Sequence, residues 1–404
     1  MKTTFDSTIP KAFLAGALLA SSLFAFTSRA DDSLTFTPYG TIKFDGVYDS
    51  KETRPGDYSN SVVPNSPTTG KSTSEMMFTG NQSRFGLDMV APSWGGADIT
   101  AKLEADFYNP ANVSDFRATP QMRYAWIKMF WKDWNLGVVA GQIQDTIAPF
   151  YSATLNYDVL FGQGQIGYRR GGIKVWKGFD LGGGVLTGEL ELARENSDSG
   201  LSAGASGADS RTPQVQGRLS YSRPLLTEKP TIVGVSFLQG KPQTYGAALQ
   251  ANGAPTDQSI YYTADEQVVL ADLQVPVMAN LMFQGQVYHG QDLAGLYGLS
   301  KSYFKTQTQT SEDGGWIQGV FNITDNLWVA AGYGFAEIED PQDVPAAAFP
   351  AYTVIKNTTP FADVRYVFNK ALQAGFEVSQ ITARYVGGDY NIANRYQVSM
   401  MLGF

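Results

Sequence analysis

In the last nine residues of the chain, 396–404 (YQVSMMLGF), every second side chain is apolar as far as the terminal phenylalanine, and the residues between them are small or polar apart from Met401. A repeat of two residues is typical of a β-strand with one apolar and one polar face. The segment therefore predicts a final strand whose apolar face reaches the end of the chain. The residues on that face are Tyr396, Val398, Met400, Leu402 and Phe404.

The same alternation occurs in residues 99–107 (ITAKLEADF), 214–221 (QVQGRLSY) and 281–288 (LMFQGQVY). No segment after residue 30 keeps the 3.6-residue period of a helix. Seven short and eight long connections separate the alternating segments, which predicts 16 strands, with a range of roughly 14 to 18 left open. The short connections are expected at 94–96, 132–134, 177–179, 227–229, 278–280, 325–326 and 369–370. The long ones are expected at 50–80, 109–119, 142–164, 195–212, 241–264, 290–312, 338–357 and 385–392.

The composition of the 404 residues excludes several classes of protein. The chain has no cysteine and one histidine, His289, so disulfides, thiolate metal sites and multi-histidine zinc sites are excluded. The formal net charge of −8 argues against a nucleic-acid binder, and the aromatic content of 13% argues against disorder. We expect no catalytic residues, no cofactor and no metal ion, with His289 an ordinary surface or lumen histidine.

The beginning of the chain is typical of an export signal. Residues 12–26 (AFLAGALLASSLFAF) form an apolar run that ends shortly before Ser28-Arg29-Ala30. Small residues at these positions predict a secretory signal peptide, residues 1–30, cleaved after Ala30. The alternative is an uncleaved anchor, but the run is short for a membrane helix of about 20 residues. The mature protein is then the single domain 31–404.

The polar faces of the strands favour a membrane barrel over a soluble fold. They carry Lys, Arg, Asp and Glu in strand after strand, which would be costly in a packed core. In a closed barrel the apolar face meets lipid and the polar face lines a wet lumen. The sequence therefore predicts an all-β, transmembrane antiparallel barrel, with an exported soluble β-sandwich binder as the alternative. Aromatic residues expected at the membrane interfaces are Tyr124, Trp126, Trp134, Trp328 and Tyr366.

Five short motifs resemble the general porins of the Gram-negative outer membrane. They are residues 39–46 (YGTIKFDG), 83–87 (SRFGL), 123–127 (RYAWI), Gly141-Gln142 and the terminal phenylalanine with its alternating apolar face. Residues 154–158 (TLNYD) are reminiscent of the dicarboxylate-uptake type. The resemblance implies a non-enzymatic, water-filled channel for passive diffusion of small hydrophilic solutes and ions. It also implies a homotrimer in contact with lipid and lipopolysaccharide. The final strand of each subunit would be recognised by the barrel-insertion machinery.

The resemblance further implies a constriction where the third long loop, near 142–164, folds into the barrel. Carboxylates on that loop, here Asp145 and Asp158, would face a row of basic wall residues. The residues that match this row are Lys43, Arg84, Arg123 and either Arg169 or Arg170. Strand alternation supports the first three, whereas a bulge at Gly171-Gly172 would change which arginine turns inward.

Four cations against two carboxylates predict a weak anion preference or near-neutral selectivity, despite the acidic net charge. Two other functions stay open: a substrate-specific porin for small carboxylates, and a non-conducting structural or adhesive barrel. The second long loop, 109–119, is the segment that would latch onto a neighbouring subunit.

Overall fold

The computed structural model describes residues 34–54, 60–65, 72–108, 118–195, 207, 210–245, 261–303, 308–341 and 352–404. The expected signal peptide, 1–30, and residues 109–117 of the expected latch lie outside these ranges. Within them, sixteen strands form one barrel. The strands are β1 Thr35–Asp49, β2 Glu75–Thr79 with Arg84–Trp94, β3 Ala97–Asp106, β4 Gln121–Trp131, β5 Leu136–Gln144, β6 Arg169–Asp180, β7 Val185–Ala193, β8 Gln214–Pro224, β9 Pro230–Gly240, β10 Glu266–Met278, β11 Leu281–Gln291, β12 Ser311–Asn322, β13 Leu327–Ile338, β14 Val354–Val367, β15 Leu372–Tyr385 and β16 Tyr390–Gly403.

The barrel closes between its first and last strands. β1 and β16 pair antiparallel from Thr41 opposite Gly403 to Asp49 opposite Arg395. On its other side, β1 pairs with both segments of β2, which are separated by residues 80–83. Every strand bonds to its sequence neighbour, so the closed sheet has no free edge. The predicted 16-stranded antiparallel barrel is confirmed.

One end of the barrel has short turns and the other has long loops. The turn between β6 and β7 differs from the expected position, because Lys177, Gly178 and Phe179 lie inside β6 and the chain reverses at 181–184. Gly182 and Gly183 adopt φ values of +73° and +107° there. Glycine enters this region without the steric cost that a side chain would add, which explains why the reversal falls on the glycines.

The outer surface is apolar and the inner surface is polar. On β1, Ile42 and Phe44 are exposed outside while Lys43 and Asp45 are buried inside. The predicted apolar face of the last strand, from Tyr396 to Phe404, is likewise exposed on the outer surface. Among the described residues, no helix has the length and apolar character needed to cross a membrane.

Two of the aromatic residues expected at the membrane interfaces, Trp134 and Tyr366, are exposed at the outer surface. The expectation was wrong for the other three. Tyr124 and Trp126 line internal cavities, and Trp328 packs inside the barrel. Their positions depend on local register and on loops inside the lumen, neither of which strand alternation alone reveals.

The described parts of three long loops fold into the lumen and form its core. We call them L1 (50–74), L3 (145–168) and L6 (292–310). Val62 of L1 packs against Ile381 and Tyr385 of β15. L6 contains a short helical turn, Leu293–Leu296, whose leucines pack against L3. The sequence predicted an inward third loop but did not predict the inward course of L1 and L6.

Candidate functional site

L3 crosses the lumen and is held by polar side chains of the far wall, which β11 to β16 form. The backbone N–H of Ala153 donates to Gln318 Oε1 at 2.8 Å, and that of Leu155 donates to Glu377 Oε2 at 2.5 Å. These bonds satisfy backbone groups that burial would otherwise leave unpaired. Further bonds to this wall join Tyr151 and Gln284, Asn156 and Gln397, and Gly162 and Asn357. A bond to Gln216 of β8 also holds Ile147.

An apolar cluster lies between L3 and the same wall. Val159 and Leu160 of L3 pack against Trp316, Ala330 and Phe361, and all five side chains are buried. Burial of a large apolar side chain contributes about 1.5–3 kcal/mol relative to exposure. The cluster therefore fills this part of the lumen and fixes the position of L3.

On the opposite side of L3 a cavity of about 270 Å³ separates the loop from the near wall, formed by β2 to β6. We call it the chamber. Its lining carries three arginines, one carboxylate and six tyrosines. The lining residues are Arg84, Tyr108, Gln121, Arg123, Tyr124, Gln144, Tyr151, Ser152, Thr154, Tyr157, Asp158, Phe161, Gln165, Tyr168, Arg169 and Tyr297.

A β-bulge places Arg123 in the chamber. The register between β3 and β4 shifts because Glu104 pairs with Tyr124 while Ala105 pairs with Met122. The extra residue lets Arg123 and Tyr124 both face inward, whereas simple alternation predicts that Tyr124 faces outward. Arg123 Nε donates to Glu104 Oε1 at 2.8 Å, and its Nη1 donates to Asp106.

Arg84 and Lys43 both lie close to the ring of one tyrosine. The guanidinium carbon of Arg84 is 4.9 Å from the ring centroid of Tyr157, and Lys43 Nζ is 4.8 Å from it. Arg84 lines the chamber, whereas Lys43 does not and is almost fully buried. Lys43 Nζ forms an ion pair with Asp45 at 2.7 Å, so its charge is already balanced.

The two consecutive arginines of β6 have different environments. Arg169 lines the chamber, with its guanidinium carbon 4.3 Å from the ring centroid of Tyr168. Among the described residues, no carboxylate lies within ion-pair distance of Arg169. Arg170 lies outside the chamber and pairs with Asp145 at 2.8 Å. The register between β5 and β6 runs without a shift through both arginines, so no bulge at Gly171-Gly172 selects between them.

The two loop carboxylates also have different positions. Asp158 lines the chamber. Asp145 is buried at the base of L3, where it accepts hydrogen bonds from Tyr168 N at 2.7 Å and Gln216 Nε2 at 3.0 Å. With its partner Arg170, Asp145 joins the two ends of the loop to the wall.

The tyrosines of L3 supply neutral hydroxyl groups beside the arginines. Burial raises the pKa of Tyr151 and of Tyr157 above the usual value for a phenol. Both hydroxyls therefore stay protonated near neutral pH.

A second internal cavity, of about 540 Å³, shares Tyr124 and Gln144 with the chamber and extends toward the short-turn end. It is also basic: its lining carries three lysines and one carboxylate, Glu189. The lysines are Lys102, Lys128 and Lys174. The sequence analysis did not select them, although Lys102 stood on the polar face of its alternating segment.

Comparisons with solved structures identify the same architecture elsewhere. The outer membrane channel DcaP of Acinetobacter baumannii superposes with a TM-score of 0.70 at 15% identity, covering 94% of this chain and 99% of that one. An anion-selective porin from Comamonas acidovorans gives 0.58 at 11% identity, covering 92% and 100%. A trimer form of OmpT, an outer membrane protein of Vibrio cholerae, gives 0.55 at 12% identity, covering 92% and 100%. No protein-family model and no curated protein matches the chain. At these identities the similarity establishes the barrel fold.

Proposed function

We propose that this chain is a porin of the bacterial outer membrane, through which small hydrophilic solutes and ions diffuse passively. The observation that carries the proposal is the chamber: L3 is held against one wall of a closed barrel and leaves a basic cavity at the other. The second cavity continues from it toward the short-turn end. The apolar outer surface suits a lipid bilayer, and the expected signal peptide would direct export.

The arrangement of charges favours a weak anion preference. Glu104 and Asp106 balance Arg123 but do not line the chamber, so a solute meets the cation before the acids. Charges in exposed loops are screened over about 8 Å at physiological salt. Charges inside a narrow, low-dielectric constriction act on a solute directly, because the walls focus the field. The lining should therefore outweigh the net charge of −8.

Two alternatives make different predictions for the same channel. A porin specific for small carboxylates is favoured by Arg169, a buried guanidinium in the chamber without an acidic partner among the described residues. A non-conducting barrel is favoured by the three loops that occupy the lumen. We place the general, weakly anion-selective channel first because the two basic cavities share lining residues.

Conductance across planar lipid bilayers separates these functions. The detergent-purified, folded protein should give discrete conductance steps, and the reversal potential in a salt gradient should report a modest anion preference. Saturable block by small carboxylates would support the specific porin instead. Absence of steps would support the non-conducting barrel. Recovery of the native protein as a soluble periplasmic monomer would contradict the membrane location.

We also propose a homotrimer whose contact lies near the ends of the chain. The outward residues Ile42, Phe44, Val398 and Met400 form an apolar surface across the closure of β1 and β16. Lipid and lipopolysaccharide would cover the rest of the outer surface, and the last strand would be read by the insertion machinery. A monomeric mass in mild detergent would contradict the trimer.

A further inference from the structure

The chain's single histidine lies beside two carboxylates on the outer surface, at the long-loop end. His289 is near the end of β11, directly opposite Asp313 of β12. Glu339 follows the last residue of β13, and its backbone N–H donates to Ser311 O of β12 at 2.9 Å. Three neighbouring strands therefore bring one imidazole and two carboxylates together.

The donor atoms of this group are close enough together to be brought to one metal ion, with His289 Nδ1 and Asp313 Oδ1 at hydrogen-bond distance in its absence. His289 Nδ1 is 3.1 Å from Asp313 Oδ1 and 3.6 Å from Glu339 Oε1, and all three donor atoms lie within 4.8 Å of one another. Zinc binds nitrogen and oxygen donors at about 2.0–2.2 Å, so tetrahedral donors are about 3.3–3.6 Å apart. Small side-chain rotations would bring all three donors to one ion.

The charge around His289 also points to a cation. On this face Glu337, the neighbour of Asp313 across β12 and β13, is paired with Lys356 at 2.6 Å. Asp313 and Glu339 have no such lysine or arginine partner among the described residues, and each lies close to the imidazole of His289. Two carboxylates beside one imidazole, with no lysine or arginine partner among the described residues, form a group that one divalent ion would suit.

We propose that His289, Asp313 and Glu339 bind one divalent transition-metal ion, with Zn²⁺ as the reference ion. The mixed nitrogen and oxygen donors suit zinc better than calcium or magnesium, which prefer oxygen ligands alone. Three protein ligands leave a fourth position for water or an oxyanion. The ion would tie the ends of β11, β12 and β13 at the outer surface. One histidine is sufficient for this site because the carboxylates supply the other ligands, contrary to the expectation of no metal.

Metal titration of the folded, chelator-treated protein in detergent tests the site. The wild type should bind one equivalent of Zn²⁺, and Co²⁺ in its place should show the visible absorption of a tetrahedral site. His289→Ala and Asp313→Asn should each lower the affinity by about a hundredfold or more, above the usual loss for an outer-shell partner. These side chains are exposed, so both variants should fold, which the heat-dependent shift in gel mobility would show.

Asp265→Asn is the matched control. Asp265 is similarly exposed, lies 3.8 Å from Lys241 and does not belong to the group of three donors. This variant should bind Zn²⁺ like the wild type. The proposal is overturned if the wild type binds no Zn²⁺, or if His289→Ala binds it as tightly as the wild type.

Discussion

The two sides of L3 differ in what they present to the barrel wall. Toward β11 to β16, buried amides and carboxylates bond to the loop backbone, and an apolar cluster fills the remaining space. Toward β2 to β6, guanidinium groups and phenols surround an open cavity. One side of L3 fixes the position of the loop, and the opposite side leaves room for a solute to pass.

The chemistry of the side chains explains the division. Gln318 and Glu377 offer oxygen acceptors, which the N–H groups of L3 can bind. Arg84 and Arg169 offer only donors, so they cannot bind those groups. The backbone N–H groups of Ala153 and Leu155 therefore bond to the β11 to β16 wall, whereas on the other side the N–H of Tyr157 donates to Gln82 Oε1 at 3.3 Å and not to an arginine.

The largest expected effect separates the adjacent arginines of β6. Arg170→Ala leaves Asp145 buried without its cation, which should lower the free energy of unfolding by about 3–5 kcal/mol. Arg169→Ala breaks no ion pair and should instead reduce the anion preference at little cost in stability. Urea unfolding and reversal potentials measured on both variants test the contrast. Equal losses of stability would contradict it.

The second effect concerns the side of L3 that is bonded to β11 to β16. Gln318→Ala removes the acceptor for the Ala153 N–H, and a buried unpaired donor costs about 1–3 kcal/mol. We expect noisier single-channel currents, because L3 is less firmly held, together with a lower unfolding midpoint. Gln380→Ala is the control, since Gln380 bonds to Asn394 at an exposed position. Unchanged current noise in Gln318→Ala would show that this bond does not hold the loop.

The third effect concerns the side of L3 that faces the chamber. Arg84→Ala with Arg123→Ala should widen the chamber and expose Glu104 and Asp106, so selectivity should move toward cations. Each charge at about 4 Å in water contributes about 1 kcal/mol, or roughly a fivefold change in ion ratio. Reversal potentials in a salt gradient measure the change. An unaltered potential would place these arginines away from the ion path.

The smallest effect concerns L6, which contributes Tyr297 to the chamber. Burial raises the pKa of Asp292 in L6 to about 7, although hydrogen bonds from Ser302 act in the opposite direction and lower it. Because the folded protein holds this proton more tightly than the unfolded chain, the stabilising contribution is complete below about pH 4 and is lost as the pH rises through 7. Asp292→Asn should flatten the dependence of the unfolding midpoint over that interval. An identical profile in the variant would assign the dependence to other groups.

Much of the barrel follows from the sequence because strand alternation is a local property. The last strand shows its apolar face without reference to any other segment, and the alternation of long and short connections predicts the strand number. The turn at Gly182-Gly183 is one exception, because the preceding strand extends further than its pattern indicates. Glu75–Thr79 is another, because it pairs with β1 inside the expected long connection 50–80. For the candidate site, alternation identified the inward direction of Lys43 and Arg84. It could not show that Lys43 is paired with Asp45 and does not line the chamber.

The sequence by itself therefore determined the fold class and the apolar outer surface, and it predicted 16 strands and some of the inward basic residues. The tertiary structure decided which of those residues meet. The bulge at Arg123, the separation of Arg169 from Arg170 and the inward course of L1 and L6 depend on partners far away in the chain. The alternation along a strand shows which face of the strand a side chain occupies. The shape of the chamber depends instead on the hydrogen bonds that distant backbone groups form across the lumen.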